Sequence, residues 1–397
     1  MRFHRLLPRF FLALLLSLHA SAALAQSGPV QSQAQSQIPL QGIPAPTLAA
    51  KSWVLVDHVT GQVLAASEAD TRVEPASLTK LMTAYLAFAA LKAGTIDAEQ
   101  QVQVSEKAWR QEGSRMFIEP RKPVTVGELL RGVIIQSGND ACIALAELMA
   151  GSEEAFAVLM NQEAQRMGLA GTHFTNSTGL PDPEHYTTAH DLAKLASAVI
   201  RDFPEHYGLY STRSYTYNGI TQPNRNSLLR LDDTVDGMKT GHTAAAGYCL
   251  VASALRGSRR LISVVLGSTS ETTRAQESQK LLNFGFQFFD TVQLYSADQA
   301  LSQFRVWKGA ENEIAAGFTH DFTISLPKGK ADKVEAILES RQPVLAPLAK
   351  GQEIGTLKLV IDGDLFGEYP VVALEEVPLA GFWGRLWDAI LMWFKGL

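Results

Sequence analysis

The sequence predicts an α/β domain with an antiparallel sheet flanked by helices, followed by a small all-β domain and a C-terminal amphipathic helix. Two short predicted strands, 53–56 and 63–65, surround a turn, and period-two alternation of apolar residues returns after Asp236. Between these strand regions the apolar residues recur at helical spacing. After about residue 290, alternating segments are separated by prolines and glycines, which indicates the second, all-β domain.

The first domain contains several predicted helices. The apolar run 81–91 holds no charge and no helix breaker, so it predicts a buried helix that begins near Pro75. The other predicted helices share an apolar period of about 3.6 residues: 141–150, 155–167, 189–201 and 272–289. The late strands predict an antiparallel meander over 238–243, 248–255 and 261–266.

The N-terminal residues are typical of a secretory signal peptide. Arginines at positions 2, 5 and 9 precede an apolar stretch at 10–18, and residues 23–25 fit a small-x-small cleavage site. The apolar stretch is short for a membrane span, which favours cleavage over an uncleaved anchor. The predicted organisation is a signal peptide (1–25), a linker (26–49), the first domain (50–290), the small all-β domain (291–379) and the amphipathic helix (380–397).

Charge and cysteine content argue against two classes of protein. The formal net charge is −5, and no basic run predicts nucleic acid as a partner. Two cysteines, Cys142 and Cys249, are too few for a disulfide framework. Both are predicted to be small buried side chains, and a disulfide between them stays open in an exported protein. No metal motif such as His-Glu-x-x-His or Cys-x-x-Cys occurs, so no cofactor is expected.

The segment Ser77-Leu78-Thr79-Lys80 is the first candidate for catalysis. Ser77 and Lys80 are three residues apart and therefore share one face of the predicted helix. A lysine at the start of an apolar helix loses hydration, which lowers its pKa. A neutral amine beside a hydroxyl can take its proton and activate the serine as a nucleophile. Taken alone, the segment would also fit an N-capping serine and a surface lysine.

Two further motifs favour the catalytic interpretation. Ser137-Gly138-Asn139 joins an apolar stretch to a predicted helix, and Lys239-Thr240-Gly241 begins a predicted strand. Taken separately, the first fits a capping turn and the second an edge strand with a lysine. The three motifs occur here in the order Ser-x-x-Lys, Ser-x-Asn, Lys-Thr-Gly, on a helix start, a loop and a strand. This is the motif set of serine acyl-transfer enzymes that bind penicillin.

The residues around these motifs extend the likeness to one family. Residues 76–83, 135–142, 222–226 and 236–243 resemble the low-molecular-mass penicillin-binding proteins that act as D-alanyl-D-alanine carboxypeptidases. The likeness covers about residues 45–397. It implies the serine β-lactamase/transpeptidase-like fold, followed by the small β domain and the C-terminal helix. One departure is the segment from Trp109 to Met116, which borders the site and looks shorter than in some members.

The resemblance implies catalytic roles for Ser77, Lys80 and Ser137. Ser77 would attack the carbonyl of the penultimate D-alanine, Lys80 would take its proton, and Ser137 would pass a proton to the departing amine. The backbone N–H groups of Ser77 and His242 would form the oxyanion hole. The implied substrate-binding residues are Asn139, Lys239, Thr240, Gly241, His242 and Arg274.

The resemblance also assigns roles within the substrate-binding set. Lys239 would place positive charge near the second serine, and Asn139 would hold Lys80 and the substrate amide. Thr240 and Arg274 would hold the terminal carboxylate, because a guanidinium matches the planar geometry of a carboxylate.

The predicted function is a serine-type carboxypeptidase that trims peptidoglycan stem peptides and is inhibited covalently by β-lactam antibiotics. One rival is a β-lactamase, which would need a glutamate between the second and third motifs to activate the deacylating water. Glu184 lies there without the expected Glu-x-x-Leu-Asn pattern. The other rival is a penicillin-acylated sensor, which would need a transmembrane segment and a cytoplasmic domain. Arg225 is expected to support the fold rather than to contact substrate.

Residues 381–397 predict a helix that lies on a membrane surface. At about 100° per residue, Arg385, Asp388 and Lys395 fall in one sector together with Met392, and large apolar side chains fill the opposite arc. Three of those side chains are tryptophans, which favour the bilayer interface. The three charges argue against spanning. The expected location is the periplasm, attached peripherally to the outer face of the inner membrane. The alternative is a helix docked on the β domain or a dimer contact.

Overall fold

The computed structural model describes residues 43–396. The predicted signal peptide and linker residues 26–42 lie outside this range and stay predictions. The chain is packed before its first strand, because Leu48 is buried against the sheet and the Thr47 carbonyl accepts a hydrogen bond from Lys280 Nζ. Residues 47–49, assigned to the linker from sequence, are therefore part of the folded domain.

Every helix and strand predicted for the first domain is present, with ends that differ from the prediction by at most three residues, except that the first helix begins at Lys80 and not near Pro75. Its strands are β1 (Ser52–Asp57), β2 (Val63–Ser67), β3 (Gln101–Val102), β4 (Val124–Thr125), β5 (Ser214–Tyr217), β6 (Ile220–Pro223), β7 (Val235–Thr243), β8 (Gly247–Arg256) and β9 (Arg259–Ser268). Its α-helices are α1 (Lys80–Lys92), α2 (Glu106–Trp109), α3 (Val126–Arg131), α4 (Asn139–Ala150), α5 (Glu153–Arg166), α6 (Ala189–Asp202), α7 (Pro204–Tyr207), α8 (Leu228–Leu231) and α9 (Glu271–Phe288).

The central sheet has five strands in the order β2-β1-β9-β8-β7, and each neighbouring pair is antiparallel. Side chains of β9 alternate between its two faces. Ile262 and Val264 pack in the core shared with α1, α4 and α6, whereas Leu261 and Val265 pack with α9. Helices thus cover both faces, which explains why the central strands are apolar at nearly every position. The strand β7 forms one edge of this sheet.

Polar caps fix the beginnings of the helices around the sheet. Ser152, Thr188 and Ser270 accept hydrogen bonds from backbone N–H groups of α5, α6 and α9. The helix α1 is buried along most of its length, so its lack of a polar face follows from its central position. Cys142 on α4 and Cys249 on β8 are both buried free thiols, which answers the question that the sequence left open.

The second part of the chain is all-β. Its strands are β10 (Phe289–Tyr295), β11 (Ala300–Trp307), β12 (Glu313–Gly317), β13 (Phe322–Pro327), β14 (Val334–Ser340), β15 (Val344–Leu345), β16 (Glu353–Ile361) and β17 (Asp364–Ala373). β10 pairs with β13, and the other six form a sheet in the order β14-β16-β17-β12-β11-β15. Their inward side chains form a core of their own. The strand β10 follows α9 directly, and the Asp57 carboxylate, at the end of β1, accepts hydrogen bonds from Arg259 and Thr291.

The C-terminal helix α10 (Phe382–Lys395) docks on the β domain through its polar side. The buried Asp388 carboxylate accepts a hydrogen bond from the Lys308 N–H at 2.6 Å and lies 3.5 Å from the Arg305 guanidinium. Lys395 Nζ lies 5.4 Å from the Trp307 ring centroid. The apolar side is exposed: Phe382, Trp383, Leu386, Trp387, Ile390, Trp393 and Phe394. Within residues 43–396, no helix combines the length and apolarity needed to cross a bilayer.

Candidate active site

The first motif forms a tight turn rather than the first turn of an α-helix. The segment Ala76–Thr79 is a 3₁₀ turn, and α1 begins only at Lys80. Ala76 has φ +48°, an unfavourable value for a residue with a Cβ atom. The surroundings maintain this conformation, because Ala76 is buried and its carbonyl oxygen packs closely against Gly179. Ser77 itself is half-buried, so its hydroxyl can be reached from solvent.

Lys80 is the buried partner of Ser77. Its Nζ lies 2.9 Å from Ser77 Oγ, 2.7 Å from Asn139 Oδ1 and 2.6 Å from the Thr178 carbonyl oxygen, and the residue is only 1% exposed. Burial, with a smaller contribution from the charge of Arg225, lowers the pKa of Lys80 from 10.5 to about 8. About one-tenth of the amine is therefore neutral at pH 7, compared with about one in three thousand for a lysine in water.

Ser137 and Lys239 form a second serine–lysine pair. Lys239 Nζ lies 2.9 Å from Ser137 Oγ, and both side chains are buried. Ser137 follows a π-helical turn, Gly132–Gln136, and has left-handed backbone angles with φ +61°. Burial lowers the pKa of Lys239 well below 10.5, and repulsion from Lys80 and Arg225 lowers it further. Because the two ammonium groups repel each other, protonation of one lysine opposes protonation of the other.

Asn139 holds Lys80 and is itself held by the segment that precedes Arg115. Its Oδ1 accepts the hydrogen bond from Lys80, its Nδ2 donates to the Glu112 carbonyl at 2.7 Å, and its backbone N–H donates to the Ser114 carbonyl at 2.7 Å. The neighbouring Asp140 carboxylate accepts hydrogen bonds from the backbone N–H groups of residues 116–118 at 2.8–3.2 Å. The 109–119 loop, which includes the segment that departs from the family pattern, is thereby fixed beside the second motif.

The third motif lies on β7, and its glycine lets this strand pass close to the first motif. A Cβ atom at Gly241 would lie 3.1 Å from the Pro75 carbonyl oxygen and 3.3 Å from Ala76 Cβ. Within the described residues, β7 pairs with β8 alone, so its other edge can accept an extended peptide as an added strand. His242 is exposed, and its ring stacks on Tyr248 with centroids 4.1 Å apart.

Arg274 is a buried cation beside this strand. It is 2% exposed, its guanidinium lies 5.8 Å from the Tyr248 ring centroid, and it is close enough to lower the pKa of Lys239. Its Nε has no hydrogen-bond partner among residues 43–396. Burial lowers the pKa of Arg274, yet an arginine remains charged in the physiological range. Hydrogen bonds or electrostatic interactions therefore relate Ser77, Lys80, Asn139, Ser137, Lys239 and Arg274 to one another, and one donor of Arg274 has no partner among the described residues.

Sequence reasoning missed His185, which lies directly behind the Ser77 turn. His185 Nε2 is 2.8 Å from Thr79 Oγ1, and its Nδ1 accepts the Thr175 N–H at 3.2 Å. This arrangement leaves the proton on Nε2, which donates to Thr79. Burial lowers the pKa of His185 to about 4, so the ring is neutral. Its neighbour Glu184 is exposed, and the described hydrogen bonds of Glu184 involve only its backbone, so nothing here favours the glutamate-dependent rival.

Arg225 has more influence on the site than the sequence suggested. Its Nε donates to the Gln136 carbonyl at 3.3 Å, a structural contact of the expected kind. Its guanidinium is exposed, however, and its charge lowers the pKa values of Lys80, Lys239 and Arg274. The sequence around Arg225, in the segment 222–226, gave no indication of this electrostatic effect.

Two serine–lysine pairs at the junction of a helix, a loop and an edge strand define a class of enzyme, the serine acyl-transfer enzymes with a lysine base. Comparisons with known proteins identify the family. Residues 40–270 match the family model for D-alanyl-D-alanine carboxypeptidase, and residues 289–379 match the model for the penicillin-binding protein 5 C-terminal domain.

Individual relatives agree with the family models. The chain is 44% identical to D-alanyl-D-alanine carboxypeptidase DacC of Escherichia coli K12, over 89% of this chain and 90% of that protein, and 43% identical to DacA of Haemophilus influenzae, over 90% and 92%. The solved structure of penicillin-binding protein 5 from Haemophilus influenzae superimposes with a TM-score of 0.82 at 42% identity, covering 85% of this chain and 100% of that one. The chain therefore belongs to the D-alanyl-D-alanine carboxypeptidase family, and the predicted fold class and enzyme class are confirmed.

Proposed function

We propose that this protein removes the terminal D-alanine from peptidoglycan stem peptides through an acyl-enzyme on Ser77. The observation that carries the proposal is the 2.9 Å contact between Ser77 Oγ and Nζ of the buried Lys80, whose pKa is about 8. A reachable hydroxyl and a partly neutral amine at this distance supply a nucleophile and its base. The names of the related carboxypeptidases supply the substrate class.

In the acylation step, neutral Lys80 takes the proton of Ser77, and Ser77 Oγ forms a bond to the carbonyl carbon of the penultimate D-alanine. The bond from that carbon to the nitrogen of the terminal D-alanine breaks, and the nitrogen leaves as an amine after it receives a proton from Ser137. Lys239 supports this transfer with positive charge 2.9 Å from Ser137 Oγ. Asn139 holds Lys80 and has a second amide hydrogen for the substrate carbonyl.

The substrate binds as a strand along the free edge of β7. The backbone N–H groups of Ser77 and His242 stabilise the oxyanion of the tetrahedral intermediate, and Gly241 permits the approach of β7 to Ser77 that this requires. Thr240 and Arg274 hold the terminal carboxylate, for which the unpartnered Nε of Arg274 is an available donor.

In the deacylation step, water attacks the ester carbonyl and releases Ser77 together with a peptide shortened by one residue. A β-lactam acylates the same serine by ring opening, but its leaving nitrogen stays attached to the acyl group and blocks the approach of water. The solved structures of penicillin-binding protein D2 from Listeria monocytogenes with ampicillin and with cefotaxime bound, 29% identical at a TM-score of 0.57 over 62% of this chain and 100% of that one, support β-lactams as covalent inhibitors.

The enzyme acts in the periplasm, where α10 attaches it to the outer face of the inner membrane. The signal-like N-terminus supports export. The support for attachment is the exposed apolar side of α10, on which Trp383, Trp387 and Trp393 are 63–78% exposed. Tryptophans on the exposed side of an amphipathic helix bind at the level of the lipid headgroups.

The test is D-alanine release from a pentapeptide that ends in D-Ala-D-Ala. We expect release by the native protein, no release by Ser77→Ala, and native rates for Ser211→Ala, which removes an exposed hydroxyl that bonds only to its own helical turn. D-alanine release by Ser77→Ala at the native rate would contradict the proposal.

A further inference from the structure

A hydrogen bond between Thr243 and Glu74 joins the end of β7 to the segment that leads into the first motif. Thr243 Oγ1 lies 3.0 Å from Glu74 Oε2, and both residues are half-buried. Thr243 is the last residue of β7, and Glu74 stands three residues before Ser77. Neither Glu74 nor Thr243 has a role in the mechanism proposed above.

Both partners of this hydrogen bond are held by further hydrogen bonds. A carboxylate only accepts, so the hydroxyl of Thr243 donates to Glu74. The same hydroxyl accepts the Ala246 N–H at 2.9 Å, in the turn between β7 and β8. On the other side, the neighbouring residue Val73 exchanges two backbone hydrogen bonds with Thr187, each of 2.9 Å. The contact therefore joins two segments that are each fixed in place.

The strand β7 has few other ties to the first motif. It pairs only with β8 among the described strands. Its Gly241 meets the first motif by packing, since an added Cβ atom would lie 3.1 Å from the Pro75 carbonyl oxygen. Within residues 43–396, no other hydrogen bond joins residues 73–79 to residues 235–246. Packing limits how close the strand can come, whereas the hydrogen bond limits how far it can move away.

We propose that Glu74 and Thr243 are positioning residues for the oxyanion hole of the acyl-transfer reaction. The inference rests on the proposed function, in which the backbone N–H groups of Ser77 and His242 are the two donors of the hole. Ser77 follows Glu74 by three residues, and His242 directly precedes the threonine. The donors therefore stand on the two segments that the hydrogen bond joins. Both donors must reach the same oxygen, so the separation of the segments controls the rate of acylation.

Removal of either partner tests the proposal. We expect Glu74→Ala and Thr243→Val each to lower the rate constant of penicillin acylation by about tenfold or more, because a misplaced donor stabilises the oxyanion less. Glu74→Gln should stay within about threefold of native, since its carbonyl oxygen still accepts the hydrogen bond. The double variant Glu74→Ala/Thr243→Val should acylate no more slowly than the slower single variant, because both substitutions remove the same bond.

Two further measurements separate positioning from a general loss of structure. In a peptide boronic acid, boron replaces the carbonyl carbon of the penultimate D-alanine, and the tetrahedral adduct on Ser77 places one oxygen in the hole. Its affinity should fall by about tenfold in Glu74→Ala, in parallel with acylation. The midpoint of the pH profile of acylation should remain native, because Glu74 is not among the charges that shift the pKa of Lys80.

The matched control is Thr71→Val, which removes an exposed hydrogen bond of the same kind, from Thr71 Oγ1 to Glu68 Oε2 at 3.0 Å. This variant should acylate and bind the boronic acid as the native enzyme does. Native acylation by Glu74→Ala, equal losses in Glu74→Gln and Glu74→Ala, or additive losses in the double variant would overturn the positioning role and leave the carboxypeptidase function intact. A native protein that neither reacts with penicillin nor releases D-alanine would overturn the proposed function and the positioning role with it.

Discussion

The proposed role of Lys80 as a base depends on its surroundings, because burial lowers its pKa to about 8. Enclosure of Nζ by Ser77, Asn139 and Thr178 removes it from water, and no carboxylate forms an ion pair with it among the described residues. Burial therefore favours the neutral amine. A surface lysine at the same distance from a serine would remain protonated at neutral pH.

The pH dependence of acylation tests this assignment. We expect kcat/KM to rise about tenfold per pH unit below pH 8 and to level off above it, because only neutral Lys80 is active. Arg225→Gln removes a positive charge that lowers the pKa of Lys80, so the pKa should rise and the profile should move to higher pH. Arg213→Gln removes an exposed arginine paired with Asp233 and should leave the profile in place. An Arg225→Gln profile identical to the native one would refute the electrostatic role of Arg225.

The proposed recognition of the terminal carboxylate by Arg274 is a second property of a single residue. An amidated peptide C-terminus removes the anion that is proposed to bind Arg274, so we expect kcat/KM to fall by about thirtyfold or more for the native enzyme. In Arg274→Ala the two peptides should react at similar, low rates. The measurement is D-alanine or D-alaninamide release under identical conditions. Equal native rates for the two peptides would show that the carboxylate is bound elsewhere or not at all.

At the scale of elements, the site depends on how closely three segments meet. The Ala76–Thr79 turn packs against Gly179 of the 175–185 loop on one side and Gly241 of β7 on the other. The 175–185 loop also supplies the Thr178 carbonyl to Lys80 and His185 to Thr79. The unfavourable backbone angle of Ala76 is maintained by these neighbours, so changes in the loop should reach Ser77.

The substitution Gly179→Ala tests this coupling. Its Cβ atom would lie 1.8 Å from the Ala76 carbonyl oxygen, so the loop or the turn must move, and we expect the rate of penicillin acylation to fall by more than about tenfold. Gly168→Ala is the matched control, because Gly168 also has positive φ but open space around it. It should cost about 1–2 kcal/mol of unfolding free energy and leave acylation unchanged. Native acylation by Gly179→Ala would show that the turn does not depend on the loop.

The longer elements of the first domain could be predicted because each depends on local pattern, whereas the short strands and helices such as β5, β6 and α8 were not predicted. The apolar runs of α1, β8 and β9 are visible over six to eleven residues each. The contacts that the sequence did not reveal join distant segments: His185 reaches Thr79 across 106 residues, and Arg225 acts on Lys80 through space. The 3₁₀ turn at Ser77 also depends on such packing, because local propensity alone favours the α-helix that we predicted.

At the scale of the whole molecule, α10 shows how the sequence can identify a face without identifying what it contacts. The charged sector of the helical pattern holds Asp388 and Met392, and both residues are buried, with the Asp388 carboxylate bonded to the β domain. This docking directs the tryptophan-bearing side away from the protein. Docking and membrane binding, considered as alternatives from sequence, are therefore compatible in one helix.

Vesicle flotation tests the attachment. With anionic liposomes we expect the full-length protein to float and a form truncated after Leu379 to remain in the soluble fraction with full carboxypeptidase activity. Replacement of Trp383, Trp387 and Trp393 by alanine should weaken flotation, whereas Ser211→Ala should not. Equal flotation of full-length and truncated protein would place the attachment elsewhere, and loss of activity on truncation would mean that α10 supports the fold.

The central claim, that Ser77 is the acylated nucleophile, is tested most directly by mass spectrometry of the intact protein after exposure to penicillin. We expect a mass increase of one penicillin molecule, carried by the peptide that contains Ser77, and no increase in Ser77→Ala. Because Ser137 is buried and bonded to Lys239, Ser137→Ala should still form the adduct, more slowly. An undiminished adduct in Ser77→Ala, or an adduct on a peptide without Ser77, would contradict the account.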